Sequence, residues 1–342
     1  MPVYNGGRYL EVAIQSILQQ TLKDWEFLII DDGSTDSTPQ ILNEYARRDH
    51  RFTIVRNSEN IGIPQSLNKG ISLSSGKYLA RMDSDDISLS DRFEKQVDYL
   101  ERHPFIGICG TWVKTTGSRK NIIIKYPRNH DTIVCAQLFA SALAHPSVMM
   151  RRDTLEKHGL MYSTQFPYAQ DYEFWVRCSN HTRLANLDEV LLILRQHDNK
   201  IGEKKKQDQS MAARRVREVQ FRELGINPGE TEVAVHEKIL LEAWEADRDF
   251  LINVVSWMQR LITANSRTSR YPEPAFSNTL AAKWFSACSH ASRLGLWTLA
   301  LYVKSPLSCH NPPTPFNILR LAIRCLFRRG YWRSRFIQSA NR

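Results

Sequence analysis

The stretch Tyr78-Leu79-Ala80-Arg81-Met82-Asp83-Ser84-Asp85-Asp86 constrains this chain more than any other: an extended, mostly apolar approach ends in three acids within four residues. Carboxylates gathered on one loop repel one another, so a fold that keeps them ionised supplies a compensating cation. Hard oxygen ligands favour Mg²⁺ or Mn²⁺ over zinc, and the natural company of such a cation is a phosphate. In open α/β sheets ligands lie beyond the carboxyl ends of strands, where this acid run sits. A second acid pair, Asp31-Asp32, ends another apolar run, Trp25 to Ile30. Two strands ending in acids predict one shared site.

The elements around these acids alternate. Leu10, Ala13, Ile14, Ile17 and Leu18 recur at helical spacing, so a helix is predicted over 7–20. Trp25 to Asp31, Phe52 to Arg56 and Lys77 to Met82 read as strands; Pro39 to Arg48 and Pro64 to Leu73 read as helices between them. That rhythm predicts a parallel sheet covered on both faces. Further on, helices are expected at Arg92 to Arg102, Thr132 to Ala140, Asp153 to His158 and Asp171 to Cys178. Strands are expected at Ile106 to Val113, Ile122 to Tyr126, Ser147 to Met150 and Leu184 to Leu194, the last interrupted by Asp188-Glu189. Residues 210–265 are helical by periodicity, and two more helical segments follow around Ala281 to Tyr302 and Phe316 to Arg329.

With 342 residues and 42% hydrophobic content the chain can build a real core, about two domains' worth. Its six cysteines are scattered without zinc spacing and read as reduced thiols of a cytoplasmic protein. Met1 to Leu10 lacks a basic region followed by an apolar core, so no signal peptide is expected. No uncharged apolar run approaches the ~20 residues of a spanning helix. The net charge of +10 is unevenly placed: after Glu273 there is no Asp or Glu, while ten basic residues follow. The whole excess therefore lies in the tail, which directs the search for an anionic partner there.

With its motifs placed, the first two hundred or so residues resemble the family 2 glycosyltransferases, inverting enzymes with a nucleotide-binding GT-A fold. The resemblance rests on Pro2-Val3-Tyr4-Asn5, Asp31-Asp32-Gly33-Ser34-Thr35-Asp36, Asn68-Lys69-Gly70, the acids at 83–86, His145-Pro146-Ser147, Gln170-Asp171-Tyr172 and Arg195-Gln196-His197, in that order. It implies that Pro2 and Tyr4 line the nucleotide, Tyr4 against the uracil or other base, and that Asp31 and Asp32 serve the base or ribose. Asp83 and Asp85 look like the DxD pair, one near the ribose and one on the metal, with Asp86 as the alternative direct ligand and His197 as a further one. Asp171 matches the general base, although many relatives have Glu where this chain has Gln170. An inverting transfer is a single in-line displacement needing one base and positive charge on the departing diphosphate.

Each motif also has a plainer reading. Asp31-Asp32 can end a strand and cap a helix, Asp171 can be a helix N-cap, and His145 reads as structural. In the family that the chain resembles, the turn at Tyr4 and Asn5 follows a complete interior strand, so the resemblance implies an open slot beside Leu28 to Ile30 here and a native chain longer by several residues. The expected organisation is a GT-A catalytic domain at 1–205, a helical extension at 206–265, a linker at 266–274 and a basic helical tail at 275–342. Arg320, Arg324 and Arg328 fall on one helical stripe beside Leu319, Ile323, Leu326 and Phe327. That segment suits anionic lipid headgroups; the alternative is a helix packed on the catalytic domain with its arginines reaching to solvent. Nucleic acid is not expected, since no recognition motif accompanies the charge.

The expected protein is a cytoplasmic, membrane-peripheral enzyme that uses Mg²⁺ or Mn²⁺ to move a sugar from a nucleotide donor, a UDP-sugar before others, to a glycan or lipid-linked acceptor in surface-polysaccharide assembly. Two rivals stand beside it: a nucleotidyltransferase, for which Asn5-Gly6-Gly7-Arg8 is a poor glycine-rich loop, and a noncatalytic sugar-nucleotide-binding protein.

Overall fold

Two parallel pairings set the frame of the nucleotide half. Strand β1 (Pro2–Val3) places Pro2 opposite Ile30 and Val3 opposite Asp31 of β2 (Phe27–Asp31), and β2 pairs along its length with β3 (Phe52–Arg56). The Met1 amino group donates to Leu28 O at 2.8 Å, and Ile30 N donates to Met1 O at 2.9 Å. The slot expected to lie open beside Leu28 to Ile30 is thus filled by Met1 to Val3. Helix α1 (Leu10–Leu18) buries Leu10, Ala13, Ile14 and Ile17 on one face, as its spacing predicts. Helices α2 (Thr38–Arg48) and α3 (Ile63–Leu73) each carry a proline in the first turn, where a missing N–H costs nothing. The computed structural model describes residues 1–117, 121–197 and 205–328.

The next strand departs from the parallel pattern. Strand β4 (Tyr78–Ala80) opens a mixed sheet that also contains β5 (Ile87–Ser88), β6 (Ile106–Gly117), β7 (Ile123–Ile124), β8 (Met149–Arg151) and β9 (Arg183–Gln196). Its order is β4-β8-β6-β9-β5, with β7 on β6; β4 is antiparallel to β8, and β6 is parallel to β9. Alternation of strand and helix up to Leu73 leaves β4's partner undetermined, because β8 lies some seventy residues further along. Strand β9 runs through Asp188-Glu189 rather than stopping there. The register jumps from Thr111 opposite Leu187 to Trp112 opposite Val190, so the two acids bulge out and pair with Arg128 and Lys95.

Helices α4 (Arg92–Arg102), α5 (His130–Ala136), α6 (Arg152–His158) and α7 (Gln170–Cys178) complete this half. Gly159 closes α6 at φ +59, the left-handed cap that glycine adopts without strain. The segment at Ser147 is a 3₁₀ turn over His145–Ser147 that precedes β8.

The chain divides into two compact units, residues 1–133 with 141–216 and residues 134–140 with 217–342. The second unit is helical. After α8 (Lys206–Glu223), which crosses the division, come α9 (Glu230–Leu240), α10 (Arg248–Thr268), α11 (Ala275–His290), α12 (Leu296–Lys304) and α13 (Pro315–Leu326). Trp257 and Trp284 are buried at its centre with Phe250, Phe276 and Leu280. Residues 266–274 lie inside this unit: they hold the last turn of α10 and the buried Tyr271, whose N–H and C=O both bond the Asn265 amide. Around Ala281 to Tyr302 the chain forms two helices rather than one segment, because Gly295 at φ +81 turns it between α11 and α12. No helix among the described residues is long and apolar enough to cross a membrane.

Candidate active site

Two turns at the carboxyl ends of β1 and β2 are stitched together. Asn5, at φ +50, accepts from Thr35 N at 2.8 Å and donates its own N–H to Ser34 Oγ at 2.9 Å; Gly6 N donates to Thr38 Oγ1 at 2.9 Å and Gly7 N to Asp36 Oδ2 at 3.0 Å. Asparagine tolerates the left-handed conformation that this turn demands. Gly33, at φ +78, would drive a Cβ to 2.8 Å from the Glu59 carbonyl carbon, so no other residue fits. Stitching these turns leaves the Tyr4 ring 51% exposed, while Pro2 sits half-buried in β1.

Asp31 and Asp32 are both buried and both engaged. Asp31 accepts from Ser34 N at 3.0 Å and meets Arg56 Nε at 3.5 Å, which fixes the turn after β2. Asp32 holds the 57–62 loop: Oδ1 accepts from Asn57 Nδ2 at 2.8 Å and Ile61 N at 2.9 Å, and Oδ2 accepts from Gly62 N at 2.9 Å. Lys69 Nζ donates to Asn57 Oδ1 at 2.7 Å, so the Asn68-Lys69-Gly70 motif supports that loop from α3. Asn68 itself clamps the backbone of Tyr162 through both amide atoms, at 2.9 and 2.7 Å.

The acid loop gathers as its spacing predicts. Asp83, Asp85 and Asp86 each offer a carboxylate oxygen, and these atoms lie within 4.8 Å of one another. Arg81, buried in the strand exit, forks onto Asp83, with Nη1 at 2.8 Å from Oδ2 and Nη2 on Oδ1. The carboxyl end of β9 holds the other two acids: Arg195 N donates to Asp86 Oδ1 at 2.9 Å, Arg195 Nε donates to Asp85 O at 3.0 Å, and His197 Nε2 lies 2.9 Å from Asp85 Oδ2. The His197 ring packs 4.6 Å from Tyr9, over which the Arg195 guanidinium also sits. Three hard carboxylate oxygens at this spacing fit a divalent cation such as Mg²⁺ or Mn²⁺, with His197 reaching the set through Asp85.

Asp171 lies in the first turn of α7, two residues beyond the position at which a cap would act; that position is Ala169, and no side chain caps the helix. Burial pushes its carboxyl above the ordinary carboxylate range, while the N–H groups of Tyr172 and Asp171 and the charge of Arg81 pull it back. Asp83 pushes it up again. His145 is structural: its Nε2 lies 3.0 Å from Tyr162 Oη, and burial, then Arg81, hold its ring neutral, well below its ordinary pKa.

The structure therefore brings Asp83, Asp85, Asp86 and His197 into one group, with Asp171 in electrostatic reach and Asp31 and Asp32 in the adjoining turns. Arg81 and Arg195 stand in the quoted motifs, but sequence reasoning gave neither a role. Arg81 carried a signal, a lone cation between an apolar approach and three acids. Arg195 carried little, because its contacts to the acid loop run through backbone atoms, its own N–H to Asp86 and its Nε to the Asp85 carbonyl.

Residues 1–159 match the family model described as glycosyl transferase family 2. An uncharacterized glycosyltransferase of Haemophilus influenzae is 35% identical over 224 residues, which cover 63% of this chain and 69% of that protein. The chain belongs to glycosyl transferase family 2. This glycosyltransferase is also 34% identical to the O-antigen biosynthesis glycosyltransferase WbnJ of Escherichia coli over 206 residues, 58% of this chain and 78% of WbnJ. Among solved structures it is similar to S. aureus TarS 1–349 in complex with UDP-GlcNAc (TM-score 0.57, 15% identity, 94% of this chain and 89% of that one). It is likewise similar to the mannosyltransferase PcManGT from Pyrobaculum calidifontis in complex with GDP-Man and Mn²⁺ (TM-score 0.52, 15% identity, 94% and 84% covered). At these identities the likeness is one of fold, and the glycosyltransferase has the GT-A fold. Family membership sets the nucleotidyltransferase rival aside.

Proposed function

We propose that this glycosyltransferase moves a sugar from a nucleoside diphosphate donor, a UDP-sugar first among them, to a hydroxyl of a glycan or lipid-linked acceptor, with inversion at the anomeric carbon. The observation that carries the reading is the acid loop, three carboxylate oxygens within 4.8 Å of one another beyond the end of β4. A Mg²⁺ or Mn²⁺ ion held there by Asp85 and Asp86, with His197 beside them, would supply the positive charge that a departing diphosphate needs. Asp83, oriented by Arg81, faces the ribose side, and Tyr4 offers its exposed ring to the base, with Pro2 and Asp31 shaping the turn beneath it. Asp32 has one oxygen with a single accepted bond, and that oxygen is the one available to the base or ribose.

Asp171 takes the acceptor's hydroxyl proton. A carboxyl whose pKa is raised by burial is a stronger base when ionised than an ordinary one, and an inverting displacement requires no second carboxylate as nucleophile. All of these residues fall within 1–205, which we assign as the catalytic domain. Similarity to WbnJ and to the UDP-GlcNAc and GDP-Man complexes supports a nucleotide-sugar donor and a role in cell-surface polysaccharide assembly. The basic tail supports a cytoplasmic enzyme held at the inner face of the membrane; the part of that tail beyond Arg328, with Arg329, Trp332, Arg333, Arg335, Phe336 and Arg342, lies outside the described residues.

The test is a panel of UDP- and GDP-sugars assayed for donor hydrolysis with and without Mn²⁺, alongside Asp171→Asn. One donor should turn over only with the metal, and the variant should lose turnover while calorimetry still records donor binding. Equal turnover in chelator, or full activity in the variant, would refute the assignment.

A further inference from the structure

Among the described residues, helix α13 buries one face in the helical unit and leaves the other exposed. Leu321 and Cys325 are buried in the helical unit, while Phe316, Leu319, Ile323, Leu326 and Phe327 on the opposite side are between 47% and 71% exposed. The helix is well defined at its start, with Pro315 in the first turn and Thr314 Oγ1 accepting from Asn317 N at 3.3 Å. Its outward residues follow the i, i+3, i+7 spacing of a single face. Contiguous apolar surface of this size on a helix mostly marks an interaction site.

Charge identifies the occupant. Arg320 and Arg324 run along one flank of the apolar face, and Arg328, just past the helix at φ +49, turns toward Gly295. No acid follows Glu273 in the sequence, so two copies joined symmetrically through this face would set arginine against arginine. An outward apolar face edged by cations is complementary to the boundary between acidic headgroups and acyl chains. The helix, at twelve residues, is too short to span that boundary and the right length to lie in it.

We propose that α13 lies in the plane of an anionic lipid surface, its outward apolar side chains inserted below the headgroups and Arg320 and Arg324 at headgroup level. This deepens the peripheral-membrane reading above and is independent of the transfer chemistry. A contact made through charge alone would leave Phe316 and Ile323 in water; insertion makes them part of the bond.

Flotation of the full chain with phosphatidylcholine vesicles, with and without phosphatidylglycerol, tests this. Wild type should float with the anionic vesicles, and the double variant F316S/I323S should bind them at least tenfold more weakly. The double variant R320Q/R324Q should bind the anionic vesicles about 25-fold more weakly, fivefold for each arginine. Phe316, Arg320 and Ile323 are exposed and Arg324 is half-buried, so melting curves are recorded for both variants, and donor hydrolysis in vesicle-free buffer should match wild type. That control separates a failure of insertion from a failure of the glycosyltransferase reading. Undiminished binding by F316S/I323S, or no binding by wild type, would overturn the proposal. So would a concentration-dependent dimer that the same variant dissociates, since the face would then belong to a second copy.

Discussion

Asp32→Asn is the sharpest perturbation, because it keeps the shape and changes one atom. In the native carboxylate Oδ1 holds Asn57 Nδ2 and Ile61 N, and Oδ2 holds Gly62 N, all between 2.8 and 2.9 Å. The amide keeps one oxygen. If that oxygen faces Asn57 and Ile61, an NH₂ group is turned against the Gly62 N–H; if it faces Gly62, two donors are opposed. The first arrangement is cheaper, losing one charge-assisted bond and weakening two more, about 2–3 kcal/mol in a site only 4% exposed. Spread over the catalytic half, that loss lowers the melting temperature by roughly 5–10 °C. Asp32→Ala removes the acceptor altogether and should cost about 3–5 kcal/mol, with water entering the loop to replace part of it. Scanning calorimetry of the purified chain measures the shift, and limited proteolysis within residues 57–62 reports whether the loop is released. A variant that melts with wild type while donor affinity collapses would refute the reasoning: Asp32 would then spend its oxygens on a ligand and not on the loop.

Asp171→Asn should leave the melting temperature unchanged or slightly raised, because an ionised carboxyl is disfavoured at that buried position, and it should abolish turnover. Since burial raises the pKa of Asp171 and the base works ionised, wild-type activity should be full above the raised value and fall as pH drops through it, at a pH above the ordinary Asp range near 4; an acid limb at or below that range would contradict this. Arg81→Met strands Asp83 beside two other acids and should cost about 1–3 kcal/mol, discounted because Asp83 is partly solvated, with Arg81→Lys recovering only part of it; chemical denaturation measures both. In the helical unit, His236 is held neutral between Trp257 Nε1 and Leu138 O, and burial lowers its pKa to about 3. Its unfolded form takes a proton below about 6.5, so stability is full above that pH and is lost as pH falls, by about 2 kcal/mol between pH 7 and pH 5; urea midpoints that stay flat over this range would exclude it.

The sequence disclosed contacts that are local and concealed those that are not. Helix α1 is legible because its four buried apolar residues recur at helical spacing, and the end of α6 is legible because a glycine stands where a left-handed cap is needed. The acid loop is legible because its three carboxylates sit within four residues. The partner of β4 is not legible, because nothing in an apolar run of three residues specifies β8, and the same holds for the bulge that carries β9 past Asp188-Glu189. Tyr4 shows the limit from the other side. An aromatic beside a strand reads as core, and it is exposed only because Asn5 and Gly6 bind the turn of Ser34 to Thr38 and swing the chain outward.

The same distinction explains how three acids can be kept together on one loop. Asp83 is neutralised from within its own segment by Arg81, which leaves Asp85 and Asp86 to be held from β9, by the Arg195 N–H, the Arg195 guanidinium and His197. Strand β9 is itself registered along β6, so its carboxyl end cannot shift without breaking a long ladder. The acid loop is therefore fixed at one end by a salt bridge and at the other by a sheet. On the proposed reading, a site built this way would hold its carboxylates near one another before any cation arrives, so that a divalent ion would have less of the loop to order. It follows that shortening the hold from β9 should weaken metal binding more than it weakens folding. Asp85 and Asp86 lose a restraint in that case, whereas the core beneath them, built on Met82, Phe93 and Met149, does not.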